Sequence, residues 1–162
     1  METRTTLSGV ALLCAGLLAL PAVAHAAGTQ VAYPEGFRHW AHVKSMVINK
    51  GHPLHDAVGG MHHIYASKLA HAGYKAGRFA DGSVIVFDLF EAVDKDNAVS
   101  EGKRKAVIVM HKDARRFKAH DGWGYEVFAD RKGTLDAKGQ AGCHACHTQQ
   151  KAKDFVFSAL RD

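Results

Sequence analysis

The sequence predicts a single α+β domain in which an antiparallel β-sheet is flanked by helices and a C-terminal helix carries a binding motif. The main evidence is a series of three strand-like runs, residues 84–90, 106–110 and 123–129, which are rich in β-branched and aromatic residues. Short helical signals lie before and between these runs. A succession of strands of this kind excludes a helical bundle and favours an antiparallel sheet with helices on its faces.

The first 26 residues have the pattern of a secretory signal peptide. A basic residue precedes an apolar run over residues 10–20, and residues 24–26 form a small-x-small cleavage site. The apolar run is about half as long as a membrane-spanning helix, so we expect no membrane anchor after cleavage. Cleavage near Ala26 would leave residues 27–162 as one exported domain, which we expect in the periplasm.

The first half of that domain predicts a helix, a strand and a second helix. Pro34 suits the first turn of a helix that extends to about residue 48. A Gly-Gly turn at 59–60 precedes a short strand, and Ser67 caps a helix that ends at Gly77. The apolar residues on one face of the first helix are Phe37, Trp40, Val43, Val47 and Ile48.

The second half predicts turns and loops around the three strands. Residues 80–83 form a turn, residues 94–103 form a polar connection, and Asp113 caps a short helix through Phe117. Residues 131–142 form a loop, after which a helix continues to Lys151. An apolar segment at residues 155–160 closes the domain.

Residues 143–147 read Cys-His-Ala-Cys-His, the C-x-x-C-H motif that attaches a c-type haem. Cys143 and Cys146 would each form a thioether bond with one haem c, and His147 would bind the iron from the proximal side. His144 is expected to face solvent. The alternatives are a redox-active C-x-x-C pair and half of a zinc site. Export and the adjacent histidine favour haem over both.

The charge pattern argues against a nucleic-acid partner. The formal net charge is +5, but the basic residues are spread along the chain and form no stripe. Nucleic-acid-binding proteins cluster their lysines and arginines on one face. A solvated surface is therefore favoured over an acidic partner.

With these elements placed, the chain is similar to the cytochrome P-460 family. The motifs that carry the resemblance are Tyr-Pro-Glu-Gly-Phe-Arg-His-Trp at 33–40, Ile-Tyr-Ala at 64–66, Gly-Arg-Phe-Ala-Asp-Gly-Ser-Val at 77–84, Lys-Asp at 112–113 with Arg-Phe at 116–117, Gly-Trp-Gly at 122–124, and the motif at 143–147. The resemblance implies a small periplasmic homodimer with a sheet over a five-coordinate c-haem. It also implies hydroxylamine oxidation for members that carry a covalent bond between a lysine and the porphyrin.

The chain departs from that pattern at the position of the cross-linking lysine. The resemblance places this lysine at position 87, where the chain has Phe87, and no lysine lies between Lys75 and Lys95. The sequence is therefore more similar to the cross-link-free branch, the cytochromes c′-beta, which bind gases under a phenylalanine cap. Phe87 is the first candidate for the distal side of the haem, with a core aromatic facing elsewhere as the alternative.

His55 is the second distal candidate, because a histidine in that loop could donate a hydrogen bond to a bound ligand. An exposed loop histidine is the alternative. His62 and His63 are adjacent on a strand, so we expect them on opposite faces and in no shared site. Met61 and Met110 could be sixth ligands, although core packing is favoured for both.

Two acidic residues, Asp88 and Glu126, could accept protons, but their strand positions favour the surface.

Together these observations predict a periplasmic mono-haem cytochrome that binds a small ligand such as NO, for capture, sensing or detoxification. An enzyme that oxidises hydroxylamine or NO and passes electrons to a partner cytochrome is the first alternative. A simple electron-transfer cytochrome is the second.

Overall fold

The computed structural model describes residue 1 and residues 30–161. The predicted signal peptide and its cleavage site near Ala26 lie outside the described residues. Within the described part of the chain, none of the helices is long and apolar enough to cross a membrane.

The described residues form one antiparallel sheet in which each strand pairs with the next strand in the sequence. This architecture confirms the predicted α+β class. The strands are β1 Ala41–Ile48, β2 Gly60–Ala66, β3 Val84–Lys95, β4 Ala98–Lys112, β5 Trp123–Ala129 and β6 Lys132–Gly133. The α-helices are α1 His55–Val58, α2 Lys68–Ala76 and α3 Ala137–His147, and 3-10 helices cover Phe37–His39, Lys118–His120 and Thr148–Lys153.

The helix predicted from Pro34 is wrong, because the segment forms a single 3-10 turn and then β1. A β-bulge between His42 and Lys44 shifts the alternation of β1 by one residue. The shift places Val43 and Ile48, five residues apart, among the buried residues, which the period of two of an unbroken strand would not do. The segment adopts the strand conformation because pairing with β2 gives hydrogen-bond partners to the backbone groups of β1.

The polar connection predicted at residues 94–103 is also wrong. Strands β3 and β4 continue through it as a long hairpin, and Asp96 and Asn97 form the turn with φ of 56° and 61°. Asp and Asn favour the positive φ values that a two-residue hairpin turn requires. The composition misled the prediction because this part of the hairpin is exposed and therefore polar.

Helix α2 confirms its predicted capping signals. The Oγ atom of Ser67 accepts a hydrogen bond from the Ala70 amide, and Gly77 ends the helix with φ of 71°. Asp113 caps a turn instead of the predicted helix, because its Oδ1 accepts bonds from the amides of Arg115 and Arg116. The helical segment comes later, at Lys118–His120.

The predicted loop at residues 131–142 ends earlier than expected. It contains the short strand β6, and α3 begins at Ala137 because Asp136 accepts a hydrogen bond from the Gly139 amide at 2.7 Å. After His147 the chain continues as a 3-10 helix to Lys153.

The sheet has two packed faces, and α3 lies on one of them, which we call the α3 face. Ile85, Met110 and Tyr125 pair in register on the α3 face and pack with Phe155 and Val156. Residues that alternate with them pack on the opposite face, for example Val86, Val109 and Phe128. The C-terminal motif is therefore held against one defined side of the sheet.

Candidate functional site

Cys143 and Cys146 lie on one side of α3, three residues apart, and both are free thiols. Cys143 is half-buried against the core of the α3 face, whereas Cys146 is exposed. Burial raises the pKa of Cys143, and neighbouring Cys146 and Glu126 add to the effect. The two sulfur atoms are thus available to bond a group that lies beside α3.

His147 is the last residue of α3, and its imidazole orientation is fixed. Its Nδ1 donates a hydrogen bond to the backbone carbonyl of Phe155 at 2.7 Å. A carbonyl oxygen only accepts, so this nitrogen carries the proton and Nε2 keeps the lone pair that binds a metal. Burial lowers the pKa of His147, an effect that the Phe155 hydrogen bond partly opposes. The lowered pKa favours the neutral ring, which is the form of histidine that binds a metal.

The segment after α3 is anchored to the sheet through Asp154. Its carboxylate accepts hydrogen bonds from the Phe79 amide at 2.9 Å, Lys112 Nζ at 2.8 Å and Trp123 Nε1 at 3.3 Å. Asp154 and Phe155 both have positive φ, 49° and 66°. These anchors place the Phe155 carbonyl where His147 can donate to it.

Glu126 fixes the chain that leads into α3, and the prediction that it lies at the surface is wrong. The residue is fully buried, and its Oε1 accepts hydrogen bonds from the amides of Val127, Thr134 and Leu135 at 2.8–3.0 Å. Sequence alone did not reveal this role because two of the three donors, Thr134 and Leu135, belong to a later loop that folds back beside β5.

Asp88 is also fully buried, so its predicted surface position is wrong as well. It lies on the face opposite α3, where Arg38 Nη2 and Arg104 Nε approach its carboxylate at 2.9 and 2.8 Å. Both guanidinium groups lie 5.3 Å from the centre of the Phe90 ring. Asp88 therefore anchors a cationic cluster away from the motif.

The α3 face carries a row of residues that protein atoms cover incompletely. Ile64, Phe87, Ile108 and Val127 pair in register across four strands. The last three are only half-buried, although all are apolar. Such a row offers an apolar surface on which a flat ring could pack.

Phe87 lies on the α3 face, and Phe87 and Cys143 both pack, as partly buried residues, against the core cluster of that face. His55 is not brought to the same place. It begins the one-turn helix α1, its side chain is one-third exposed, and its Nδ1 lies 3.4 Å from Asp56. Phe87 and Cys143 therefore border the same core, whereas the contacts of the His55 side chain lie within its own turn.

His62 and His63 point to opposite faces, as predicted, but the sequence reasoning missed that His62 packs beside Phe87. Its ring stacks on Phe87 with centroids 4.0 Å apart, and it is only 1% exposed. Burial lowers the pKa of His62 to about 4, with Lys44 and His63 adding to the effect. Its alternation with Ile64 and Ala66 was the signal that could have placed it inward.

His63 has a separate environment on the opposite face, with Ser45 Oγ 2.6 Å from its Nδ1. Its Nε2 lies 2.7 Å from Glu101 Oε1, but the two atoms are not oriented for a hydrogen bond.

The two methionines considered as sixth ligands lie in different environments. Met110 is buried in the core of the α3 face, which supports the packing interpretation, and Met61 is half-buried on β2.

The prediction that His144 faces solvent is wrong. Its side chain is 13% exposed, and its Nε2 lies 3.1 Å from Asp121. Its ring lies 5.2 Å from His120 and 5.3 Å from Phe155. The cause is the packing of α3 against the turn before β5, which sequence pattern does not reveal.

These residues fit a covalently attached haem. Two free thiols and an imidazole with an available Nε2 supply the attachment atoms and the iron ligand, and the half-buried apolar row supplies the surface for a porphyrin. In addition, the buried Tyr125 hydroxyl has no hydrogen-bond partner among the described residues. Tyr125 lies beside His147, with ring centroids 5.2 Å apart.

A comparison with protein families found a match over most of the chain. The family model described as cytochrome P-460 matches residues 34–158, which includes the sheet, Phe87 and the C-x-x-C-H motif. A comparison with curated proteins gave no match.

Proposed function

Because this chain belongs to the cytochrome P-460 family, and is therefore a haem-binding cytochrome, we propose that it carries one haem c. Cys143 and Cys146 would hold the haem through two thioether bonds, and His147 Nε2 would bind its iron. The free thiols and the Nδ1 hydrogen bond of His147 support this assignment. A ferrous haem with one open axial position supplies a binding site for NO, CO or O2.

The function that the site supports best is binding of a small ligand, NO in particular, at a five-coordinate haem. The observation that carries it is the half-buried Phe87 ring on the α3 face. Phenylalanine offers no hydrogen bond, so it disfavours O2 relative to NO and CO and excludes water and anions from that side. His147 remains fixed by Phe155 on the other side of the site.

The absorption spectrum of the ferrous protein tests this proposal. We expect a high-spin, five-coordinate spectrum that changes on addition of NO and of CO. A six-coordinate, low-spin spectrum without added ligand, and with no response to CO, would refute ligand binding. That result would support the simple electron carrier instead.

A second candidate, the hydroxylamine or NO oxidoreductase, gains some support from Lys44. This lysine pairs in register with Ile64, in the row that contains Phe87, and its Nζ lies 4.0 Å from the Met46 sulfur. Mass spectrometry of the haem peptide discriminates the two functions. A haem joined only to Cys143 and Cys146 favours ligand binding, whereas a third bond to a lysine peptide favours the enzyme, which would pass electrons to a partner cytochrome.

We further propose that the protein acts as a homodimer in the periplasm. The signal-peptide pattern of residues 1–26 supports export, and the family resemblance suggests the dimer. Cell fractionation tests the location, and light scattering coupled to size-exclusion chromatography tests the dimer. Recovery in the cytoplasm, or a monomeric mass, would overturn the respective part.

A further inference from the structure

His62 and Phe87 stand side by side on the α3 face, one on β2 and the other on β3. Their rings are nearly parallel, with an interplanar angle of 15° and centroids 4.0 Å apart. They are diagonal neighbours, because His62 pairs with Leu89 and Phe87 pairs with Ile64. The two side chains therefore leave the sheet in the same direction.

The surroundings of His62 offer few hydrogen-bond partners to its ring nitrogens. Nδ1 is buried and has no hydrogen-bond partner among the described residues. Its direct cross-strand neighbours, Met46 and Leu89, offer no hydroxyl, amide or carboxylate, and the charged group close to it is the cation of Lys44. A buried polar group without a partner costs about 1–3 kcal/mol, so an apolar residue would pack here at lower cost.

Phe87 covers this histidine. The Phe87 ring is half-buried and reaches the open part of the α3 face, whereas His62 is 1% exposed. The stack therefore places an apolar ring over one face of the imidazole, and Phe87 is the more exposed of the two rings. Neutral imidazole is a strong ligand for haem iron and a good hydrogen-bond partner.

We propose that His62 is a screened distal base, an imidazole on the haem side of the sheet that Phe87 keeps away from the iron. This inference rests on the proposed five-coordinate haem. Phe87 then has two roles, since it excludes water and also prevents the protein from closing its own ligand site. His62 in turn supports the Phe87 ring and supplies an internal ligand when that ring turns aside.

Three variants test the proposal through the spin state of the iron in the haem-loaded protein. In Phe87→Ala we expect His62 to reach the iron and produce a six-coordinate, low-spin spectrum with the electron paramagnetic resonance signature of two axial histidines. In Phe87→Ala combined with His62→Leu we expect the five-coordinate, high-spin spectrum to return. Ile85→Ala is the matched control, because it removes an apolar side chain from the same face of β3 and leaves the stack intact; it should remain five-coordinate.

Ligand affinity gives a second measurement. An internal ligand competes with CO, so the CO affinity of Phe87→Ala should be at least about tenfold lower than that of the double variant. Phe87→Val replaces Phe87→Ala if the latter does not fold. A five-coordinate Phe87→Ala, or a double variant that stays low-spin, would overturn the screening role of Phe87.

The wild-type spectrum separates this inference from the proposed function. If the wild type is five-coordinate and Phe87→Ala is also five-coordinate, the proposed function stands and the inference fails. If the wild type is already six-coordinate and His62→Leu leaves it so, both fail. If His62→Leu instead makes it five-coordinate, His62 is a ligand but Phe87 does not screen it, and the inference fails as stated.

Discussion

The Phe155 carbonyl oxygen lies 2.7 Å from His147 Nδ1 and accepts a hydrogen bond from it. This contact joins the last residue of α3 to a segment that is itself tied to β4 and β5 through Asp154. A hydrogen bond at the second nitrogen of a ligating histidine sets ring orientation and raises the basicity of the ligating nitrogen. If His147 binds iron as proposed, the strength of the iron–histidine bond would therefore depend on Asp154, a residue seven positions beyond the ligand.

We expect Asp154→Asn to weaken both the fold and the iron ligand. The change leaves the partly buried Lys112 without its anion, and loss of such a pair costs about 2–4 kcal/mol of unfolding free energy. Urea denaturation measures this cost, and resonance Raman spectroscopy should show a lower iron–histidine stretching frequency. The exposed Asp94→Asn serves as control and should change neither quantity. An unchanged frequency in Asp154→Asn would show that Phe155 is held by other contacts.

We expect the stability of the protein to depend on pH through His62. The pKa of His62 is about 4 in the folded chain and about 6.5 in an unfolded one. The unfolded state binds more protons between these values, so the contribution of His62 is complete above pH 6.5 and is lost as the pH falls towards 4.

His62→Leu should remove this part of the pH dependence. Between pH 7 and pH 4, we expect wild type to lose about 3 kcal/mol more unfolding free energy than the variant. Urea denaturation at both pH values measures the difference. His39→Leu, at an exposed position, should retain the wild-type dependence. Parallel pH profiles for wild type and His62→Leu would contradict the prediction.

We expect Glu126→Ala to detach the loop that leads into α3. Three backbone amides would lose the buried oxygen that they share, at a cost of about 2–4 kcal/mol in unfolding free energy. Thermal or urea unfolding measures the effect. Glu35→Ala removes a carboxylate from an exposed ion pair with Arg131 and should cost less than about 1 kcal/mol. Equal effects in the two variants would mean that the loop does not depend on Glu126.

We expect haem to remain attached to the denatured wild-type chain. Peroxidase staining of a denaturing gel detects covalently bound haem, and the Cys143→Ala, Cys146→Ala double variant should give no stained band. Each single variant should retain one thioether and a weaker band. His147→Ala is the matched control, because it removes the iron ligand and leaves both sulfur atoms. Loss of stain in His147→Ala alone would indicate that attachment itself requires the axial ligand.

Local patterns predicted much of this structure. The β3 and β5 cores, the Ser67 cap and the Gly77 end of α2 all depend on residues close in the sequence, and all are present. The C-x-x-C-H motif is equally local, and its helical conformation is as expected. The main local failure is β1, where the bulge at Val43 breaks the period of two.

Burial of polar residues could not be predicted in the same way. Asp88 is buried because Arg38 reaches it from 50 residues away, and Glu126 is buried because a later loop returns to it. The stack of His62 on Phe87 likewise depends on the register of β2 against β3. These positions are set by tertiary partners, which the sequence around each residue does not identify.

The sheet order, in which every strand pairs with its sequence neighbour, has a consequence for how the chain folds. Pairing between strands that are neighbours in the sequence closes shorter loops than the contacts of the C-terminal segment do, and shorter loops cost less entropy to close. The longest loops are closed by the segment after α3. In this segment Asp154 bonds to Phe79, which is 75 residues away in the sequence, and Ser158 bonds to Tyr74, which is 84 residues away. We therefore expect the sheet to form first, and the orientation of His147 to be the last part of the site to be established.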